Sequence, residues 1–392
     1  MRIAIVVHGR FYAFDLALAL LQRGHVVRVF TNYPGWATEQ FGLSRAHVSS
    51  FTLHGILSRA AWKLRARAPR LYLEEKLHRL FSAWAAKQLA RDTWDIVYPW
   101  SGVAEEILTR RAQNTKYLVM RGSTHIRTQA ELLAQEQTRT GAPQEQPSAW
   151  MIAREEREYA RADEIVVLST FARNSFLERG FDGTRVWNLP LAAPTEQFRP
   201  TREIVDARRA RILAGEPLRV LYVGALSFRK GMYDFAALAR GLDATRIVLR
   251  VVGPRSAETE GLWQALGNRV ELVSKQAEVD LPQQYAWADV FVFPTIEDGF
   301  PLTLAQAQAS ALPILSTVNC SAPDIVTENE TGWLLPIRTA DAFVERLRWC
   351  DAHRAELGAM VEHIFSGFRL RTYDDVARDF EIICKHAQER PA

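Results

Sequence analysis

Two short motifs in the second half of the chain bring together residues that suit a phosphorylated ligand. The first is "VGALSFRKG", in which Arg229 and Lys230 follow a strand-like segment and come directly before Gly231. Two cations beside the free N–H groups of a helix N-terminus favour an anion, because the helix dipole and the unpaired amides both attract it. Arginine can bind phosphate oxygens with two hydrogen bonds, and lysine adds a mobile point charge. The spacing predicts a diphosphate site after the strand that ends at Gly224.

The second motif is an acidic turn, "FVFPTIEDGFPLTLAQAQA", between a strand-like run and a helix-like run. Glu297 and Asp298 open the turn, and Gly299 permits close backbone approach. Pro301 suits the first turn of the following helix, where its missing N–H is no loss. Gln306 lies about two helical turns along, on roughly the same side as the helix start. These side chains can hydrogen-bond sugar and ribose hydroxyls, although Glu297 can instead be a simple helix cap.

Polar side chains also follow strand-like segments in the first half of the chain. The two groups are His8, Gly9, Arg10 and Asp15 around the end of "RIAIVV", and Arg121 and His125 around the end of "KYLVM". Ligands of open α/β sheets bind outside the carboxyl ends of the strands, so we predict that both groups face a cleft. The alternative is that they cap helices, and a lone histidine is more often structural than catalytic.

The first strand-to-helix turn argues against a dinucleotide cofactor. A GxGxxG fingerprint lets the backbone approach a pyrophosphate. Here Gly9 is the turn's only glycine and the bulky Arg10, Phe11 and Tyr12 follow it. We therefore expect no NAD-type cofactor.

The elements that must position these residues alternate between strand-like and helix-like segments. Such alternation predicts parallel sheets with crossover helices. One series runs from "RIAIVV" to "DEIVVLS", and a second runs from "LRVLYVG" to "LPILST", with a linker rich in Pro and charge near residue 200. For 392 residues we predict an α/β protein of two doubly wound, Rossmann-like domains over 1–198 and 199–370. Residues 371–392 are predicted to form a helix that packs back towards the first domain.

The charge distribution singles out one surface. Residues 1–100 hold 14 Lys and Arg against 6 Asp and Glu, whereas the whole chain has a net charge of only +4. The excess lies mostly in residues 55–92, where apolar side chains interleave with the cations. This stretch is either a packed helix pair or a basic amphipathic surface that contacts anionic lipid. No nucleic-acid-binding motif accompanies it, so nucleic acid is not an expected partner.

Cysteine and histidine usage predicts neither a metal site nor disulfides. Cys320, Cys350 and Cys384 are scattered and lack metal-ligand spacing, which indicates a reducing compartment. The nine histidines include no HxxxH or HExxH pair. Met1 leads directly into the first strand without a recognisable signal peptide. We therefore expect a cytoplasmic protein, which contacts the inner face of the membrane if residues 55–92 form the basic amphipathic surface and not the packed helix pair.

The motifs in this order resemble the retaining glycosyltransferases of the GT-B fold, known as family 4 or group 1. The resemblance includes "HGRFYAFDLALALLQRGHVVRVFTNYP", "EEREYARADEIVVLSTFARNSFLERGF", "VGALSFRKG", the acidic turn and "GWLLP". It implies a first domain that binds the acceptor and a second domain that binds a nucleotide sugar. It also implies sugar transfer with retention, without a metal or cofactor, to a glycan, lipid-linked or small-molecule acceptor in cell-surface polysaccharide or glycolipid synthesis.

The family's Glu-x7-Glu pair falls on Asp298 and Gln306, which the resemblance assigns to the donor sugar and the ribose. Pro301 stands where the family usually has glycine, and Ala225 stands where it has arginine, so Arg229 and Lys230 must supply the diphosphate cations. The expected catalytic residues are Asp298, Glu297, Arg229, Lys230 and His125. The expected donor-binding residues are Gly224, Arg229, Lys230, Asp298, Gly299, Phe300, Pro301, Leu302 and Gln306. The expected acceptor-side residues are His8, Gly9, Arg10, Asp15 and Arg121.

Three other classes of protein stay open on the sequence. A GT-B-like epimerase or phosphorylase shares the fold, although we identify no pyridoxal lysine for a phosphorylase. A non-catalytic nucleotide-sugar-binding protein fits the replacement of both family glutamates. A lipid-surface scaffold built on residues 55–92 needs no donor site, and the intact "RKG" loop argues against it.

Overall fold

The computed structural model describes residues 1–65, 73–193 and 195–390. The first domain is built on a seven-stranded parallel sheet in the order β3-β2-β1-β4-β5-β6-β7. Its strands are β1 (Arg2–Val7), β2 (Val26–Thr31), β3 (Val48–Ser50), β4 (Ile96–Pro99), β5 (Lys116–Arg121), β6 (Glu164–Val167) and β7 (Val186–Asn188). Its helices are α1 (Ala13–Gln22), α2 (Gly35–Thr38), α3 (Thr52–Arg65), α4 (Glu74–Leu89), α5 (Glu105–Thr109), α6 (Ile126–Thr140), α7 (Ala149–Arg161) and α8 (Thr170–Leu177).

The second domain repeats this architecture with a six-stranded parallel sheet in the order β10-β9-β8-β11-β12-β13. Its strands are β8 (Leu218–Val223), β9 (Ile247–Val252), β10 (Val270–Val273), β11 (Val290–Phe293), β12 (Ile314–Thr317) and β13 (Gly332–Leu335). Its helices are α9 (Arg202–Leu213), α10 (Met232–Gly241), α11 (Glu260–Leu266), α12 (Leu281–Trp287), α13 (Leu302–Ala309), α14 (Ala322–Ile325), α15 (Ala340–Ala352) and α16 (Arg354–Gly367). The predicted α/β fold class is confirmed.

The central strands are apolar because helices cover both faces of each parallel sheet. The side chains of Ile3 to Val7 in β1 and of Val290 to Phe293 in β11 are almost completely buried. Each domain has a hydrophobic core of its own, and the second core begins at Phe198. The strand order reverses at β1/β4 in one sheet and at β8/β11 in the other, and such switch points are where open α/β sheets bind ligands.

The last helix, α17 (Tyr373–Glu389), returns to the first domain. Its apolar face packs into the core of the first domain. There the ring centroids of Phe380 and Tyr98 lie 4.7 Å apart. Glu381 pairs with Arg23 at 2.7 Å. A capping box at Thr372 and Asp375 starts the helix. Within the described residues, none of the helices combines the length and apolar character that a membrane crossing requires.

Candidate functional site

A cavity of about 1320 Å³ lies between the carboxyl ends of the two sheets. Both domains line it, and the polar lining from the sequence motifs is His8, Arg10, Asp15 and Arg121 from the first domain and Arg229 and Asp298 from the second. Phe300 and Leu302 add apolar surface at the start of α13. The two switch points therefore face one shared space.

The local fold of the second domain brings the basic loop beside the acidic turn. Gly231 has a positive φ of 81°, and a Cβ there would lie 1.8 Å from the carbonyl oxygen of Pro294. Only glycine fits so close to the end of β11. The backbone N–H of Ile296 then donates to the carbonyl of Arg229 at 2.9 Å, which ties the two loops together. Gly224 directly follows β8 at the expected strand end but does not line the cavity.

Each cation of the basic loop forms an ion pair with one acid of the turn. Lys230 Nζ donates to Asp298 Oδ2, and both side chains are largely buried. Arg229 lies 2.7 Å from Glu297 Oε2 and keeps 36% of its side chain exposed. Arg229 and Asp298 line the cavity, whereas Lys230 and Glu297 lie behind them.

Glu297 is completely buried and binds the first domain. Its Oε1 accepts hydrogen bonds from the hydroxyls of Ser123 and Thr124, and its Oε2 accepts one from Gln129 Nε2 at 3.0 Å. Burial alone would raise the pKa of Glu297, but Arg229 and these hydrogen bonds lower it to about 2. The structure thus places Glu297 in the contact between domains, and its predicted role at the donor sugar stays a prediction.

Gly299 also serves the contact between domains. A Cβ at Gly299 would lie 1.9 Å from the carbonyl oxygen of Gly122, at the end of β5. The close backbone approach expected at this glycine is therefore to the first domain. Ser123 and Gln129, which sequence reasoning did not select, meet the acidic turn at this contact.

The helix after the turn begins as predicted, but Gln306 does not lie at the cavity. Pro301 is the N-cap of α13, and Leu302 starts the helix. Gln306 is buried, accepts a hydrogen bond from the Tyr285 hydroxyl at 2.9 Å and does not line the cavity. A contact from Gln306 to a ribose would require this hydrogen bond to rearrange, so the assigned role stays a prediction.

A cluster of three histidines lies at the first-domain wall of the cavity, and two of them, His8 and His78, line it. The rings of His54 and His78 lie 5.3 and 5.5 Å from the ring of His8, and burial together with both neighbours lowers the pKa of His8 to about 3. His78 Nδ1 lies 2.9 Å from the carbonyl oxygen of Gly102. Sequence reasoning missed His54 and His78, because they reach β1 from helices far along the chain.

Arg10 and Asp15 form a second polar group on the same wall. Their side chains pair at 3.4 Å, and the Arg10 guanidinium lies 3.8 Å from the centre of the Phe41 ring. Burial raises the pKa of Asp15, although Arg10 opposes that shift. Gly9 lies behind the wall, where its N–H donates to Asn32 Oδ1 at 2.8 Å.

Arg121 and His125 have different surroundings although both follow β5. Arg121 lines the cavity and pairs with Glu155 at 3.0 Å. His125 is buried, and its Nδ1 accepts the N–H of Arg127 at 3.2 Å as the N-cap of α6. Burial lowers the pKa of His125 to about 4, and the ring packs against Tyr159. His125 does not line the cavity, and its geometry is that of a helix cap, which was the alternative to a role in the cleft.

The remaining sequence candidates concern metals and the basic stretch. Within the described ranges, no group of three or more His, Cys, Asp or Glu side chains is placed to hold a metal ion. Among the apolar residues of the basic stretch 55–92, Phe81 is buried, Leu77 is half-buried and Leu80 is exposed. The side chains of Trp62, Leu64, Leu71 and Tyr72 lie outside the described part of the structure.

Two Rossmann-like domains that face each other across a cleft define the GT-B class of fold. Sucrose-phosphate synthase from Thermosynechococcus elongatus has this fold, with a TM-score of 0.71 at 21% identity over 98% of both chains. Anabaena HepE in complex with UDP-glucose gives a TM-score of 0.63 at 14% identity, covering 98% of this chain and 100% of that one. The GT-B prediction is confirmed.

Residues 205–357 match the family described as Glycosyl transferases group 1. This confirms the predicted family resemblance in the second domain. WcaL of Salmonella typhimurium, named as a colanic acid biosynthesis glycosyltransferase, is 26% identical over 206 residues, which are 48% of this chain and 49% of that protein. The chain thus spans about half the length of the curated relatives it matches.

Proposed function

We propose that the protein is a retaining glycosyltransferase that moves a sugar from a nucleotide-sugar donor to a glycan or lipid-linked acceptor in polysaccharide or glycolipid synthesis. The observation that carries the proposal is the shared cavity, which has Arg229, Asp298 and the start of α13 on one wall. His8 and the Arg10–Asp15 pair form the facing wall. The group 1 family match and the name of the Salmonella relative support the same activity.

The donor diphosphate is proposed to bind between Arg229 and the N-terminus of α13. Arg229 Nε donates to Glu297, and Nη2 lies 3.4 Å from the Ser123 hydroxyl. Among the described residues, Nη1 of Arg229 has no hydrogen-bond partner, so a phosphate oxygen can take that position. Lys230 lies behind Asp298 and is proposed to neutralise it or to move towards the phosphates when the donor binds.

The chemistry follows from where negative charge develops. In a same-face transfer the sugar–phosphate bond breaks, and the acceptor hydroxyl forms its bond on the side from which the nucleoside diphosphate leaves. Arg229, Lys230 and the amides of α13 stabilise the departing diphosphate, each by about 3 kcal/mol when preorganised. Two cations at the leaving group are the reason that we propose a metal-independent reaction. The Asp298 carboxylate is proposed to accept a hydroxyl of the donor sugar and so orient it.

The acceptor is proposed to bind on the first-domain wall. With its pKa lowered to about 3, His8 is a neutral imidazole near pH 7 and can accept a hydrogen bond from a hydroxyl. Its Nε2 is buried and has no hydrogen-bond partner among the described residues. Arg10, Asp15 and Arg121 add charge and hydrogen-bonding capacity to this wall.

Contact with an anionic membrane is proposed for the outer surface of the first domain. Leu53, Ile56 and Leu57 lie at helical spacing on α3 and are 44–62% exposed, and Trp36 of α2 is 61% exposed. Arg59 lies on the same helix. An exposed apolar helix face beside cations suits the interface of an anionic bilayer. The cytoplasmic location stays a prediction.

The proposed activity is tested by incubating the protein with a panel of nucleotide sugars and measuring release of the nucleoside diphosphate. We expect turnover of one donor class, with the anomeric configuration retained in the product by NMR. Lys230→Ala should lose most of this turnover, whereas Lys385→Ala, on the exposed side of α17, should keep it. Binding of a donor with neither transfer nor hydrolysis would instead favour the non-catalytic nucleotide-sugar-binding protein.

A further inference from the structure

The buried carboxylate of Glu297 joins three segments from two domains. Ser123 and Thr124 follow β5 and Gln129 lies on α6, all in the first domain, while Arg229 lies on the β8–α10 loop of the second. Glu297 is 0% exposed and therefore has no contact with solvent that could replace these donors. A buried carboxylate persists only where its charge is paired and its oxygens are hydrogen-bonded.

The two carboxylate oxygens of Glu297 bind different groups. Oε1 faces the first domain alone, with Thr124 Oγ1 at 3.1 Å and the Ser123 hydroxyl. Oε2 accepts from Gln129 Nε2 at 3.0 Å and from Arg229 Nε at 2.9 Å. Arg229 itself reaches the first domain through the Ser123 hydroxyl at 3.4 Å. Within its own domain Arg229 is held by Glu297, whose backbone carbonyl also accepts from Nε at 3.3 Å. The first domain adds the Ser123 contact and the donors that fix the Glu297 carboxylate, so the orientation of the guanidinium depends on groups from both domains.

We propose that Glu297 is a positioning residue that couples closure of the two domains to the orientation of Arg229 in the cavity. The proposal rests on the proposed function in that Arg229 is the cation for the donor diphosphate. When the domains are in contact, Glu297 holds Nε and Nη2 of Arg229, and Nη1 is left for the ligand. When they separate, Glu297 loses its first-domain donors and Arg229 loses the Ser123 contact, so the guanidinium is held by Glu297 alone and its orientation is less restricted.

The structure offers a matched control for a generic effect of domain contact. Glu136 is also 0% exposed, and it pairs with Arg338 of the second domain at 3.1 Å. It does not line the cavity and has no contact with Arg229. Glu136→Gln thus removes a buried charge from the contact between domains without touching the cation of the donor site.

The test is calorimetric titration of UDP, GDP, ADP and dTDP into the wild type, Glu297→Gln and Glu136→Gln. A glutamine can keep the contacts of Oε1, but its Nε2 then opposes the donors Gln129 and Arg229. We expect Glu297→Gln to weaken the bound nucleotide about tenfold or more and Glu136→Gln to change its affinity less than about twofold. Unchanged or tighter binding by Glu297→Gln would mean that the carboxylate merely competes for Arg229, and would overturn the proposal. Equal weakening by both variants would overturn it too.

A milder variant and a second readout separate this inference from the proposed function. Thr124→Val removes one donor to Glu297 with little change in shape, and we expect about threefold weaker nucleotide binding; no change would count against the coupling. If the wild type binds none of the four nucleotides, the donor-site proposal fails. Small-angle X-ray scattering still decides the coupling in that case: a larger radius of gyration for Glu297→Gln than for the wild type supports it, and an equal radius contradicts it.

Discussion

Glu297 and Asp298 are neighbours in the sequence and form ion pairs with neighbouring cations, yet their surroundings differ. Glu297 is completely buried and is held by four residues, three of them in the first domain. Asp298 lines the cavity, keeps 17% of its side chain exposed and pairs with Lys230 of its own domain. One acid thus connects the domains, and the other is available to a ligand.

This difference shows how one turn can serve both closure and binding. One carboxylate of the turn faces the first domain and the next faces the cavity. Gly299 then brings the backbone against Gly122, which fixes the turn between the domains. A ligand that contacts Asp298 and Arg229 therefore meets groups that the domain contact has already positioned.

The largest expected effect is a difference in kcat between variants of the two acids. Asp298→Ala is expected to lower kcat about 100-fold, because a lost contact to the reacting sugar misorients it for attack. Glu297→Gln should act mainly through weaker donor binding, with a raised KM. Steady-state kinetics with the preferred donor measure both. Equal kcat losses for the two variants, with KM unchanged, would contradict the division of roles.

The next effect concerns stability in acid. The pKa of Glu297 is lowered from about 4.5 to about 2. Its stabilising contribution is therefore complete above pH 4.5 and is lost as the pH falls towards 2. We expect the wild type to lose about 2 kcal/mol relative to Glu297→Gln between pH 6 and pH 3.

Urea unfolding of both proteins at the two pH values measures this difference. Glu271→Gln provides the control, because the Glu271 side chain is 50% exposed in its ion pair with Arg250. The same pH dependence in the wild type and Glu297→Gln would show that Glu297 is not held as an ion between the domains.

A smaller effect is expected at Gln306. If its amide turns from Tyr285 to a ribose hydroxyl, Gln306→Ala should raise the KM for the donor about tenfold and leave kcat nearly unchanged. Gln306→Glu should be tolerated, because both side chains accept hydrogen bonds from hydroxyls. Tyr285→Phe removes the internal hydrogen bond to Gln306 but keeps the Gln306 side chain, so the effect of that bond can be measured apart from the ribose contact. A loss of stability with unchanged KM in Gln306→Ala would assign Gln306 to the core alone.

The smallest expected effect is on binding of the first domain to anionic membranes, and it does not depend on Glu297 or Asp298. Each cation near an anionic bilayer contributes about 1 kcal/mol, and salt screens it. Flotation with acidic liposomes should recover the protein at low salt and lose it at high salt. Leu53→Asp should reduce recovery, whereas Leu213→Asp, at an exposed site on α9 of the other domain, should not. Absence of flotation at every salt concentration would favour the packed helix pair.

The sequence predicts the features of this protein that depend on local pattern. Apolar strands, crossover helices and the positions of "RKG" and the acidic turn can all be read from neighbouring residues, so the GT-B fold was predictable. These predictions need only strand ends and the rule that ligands bind there.

The parts that escaped prediction depend on contacts between distant segments. Nothing near Glu297 in the sequence indicates that Ser123 and Gln129 will surround it. His125 follows a strand end as His8 does, but it packs among aromatic rings of its own domain. The position of a side chain relative to a domain contact is a tertiary property, and local pattern does not contain it.

The most direct test of the account is a crystal structure of the protein with the nucleoside diphosphate that calorimetry selects. We predict that its phosphates lie within hydrogen-bond distance of Arg229 Nη1 and the first amides of α13, with Asp298 beside the terminal phosphate and Glu297 still bound to Ser123 and Gln129. A nucleotide bound outside the cavity, or bound there with the phosphates away from Arg229 and α13, would contradict the account.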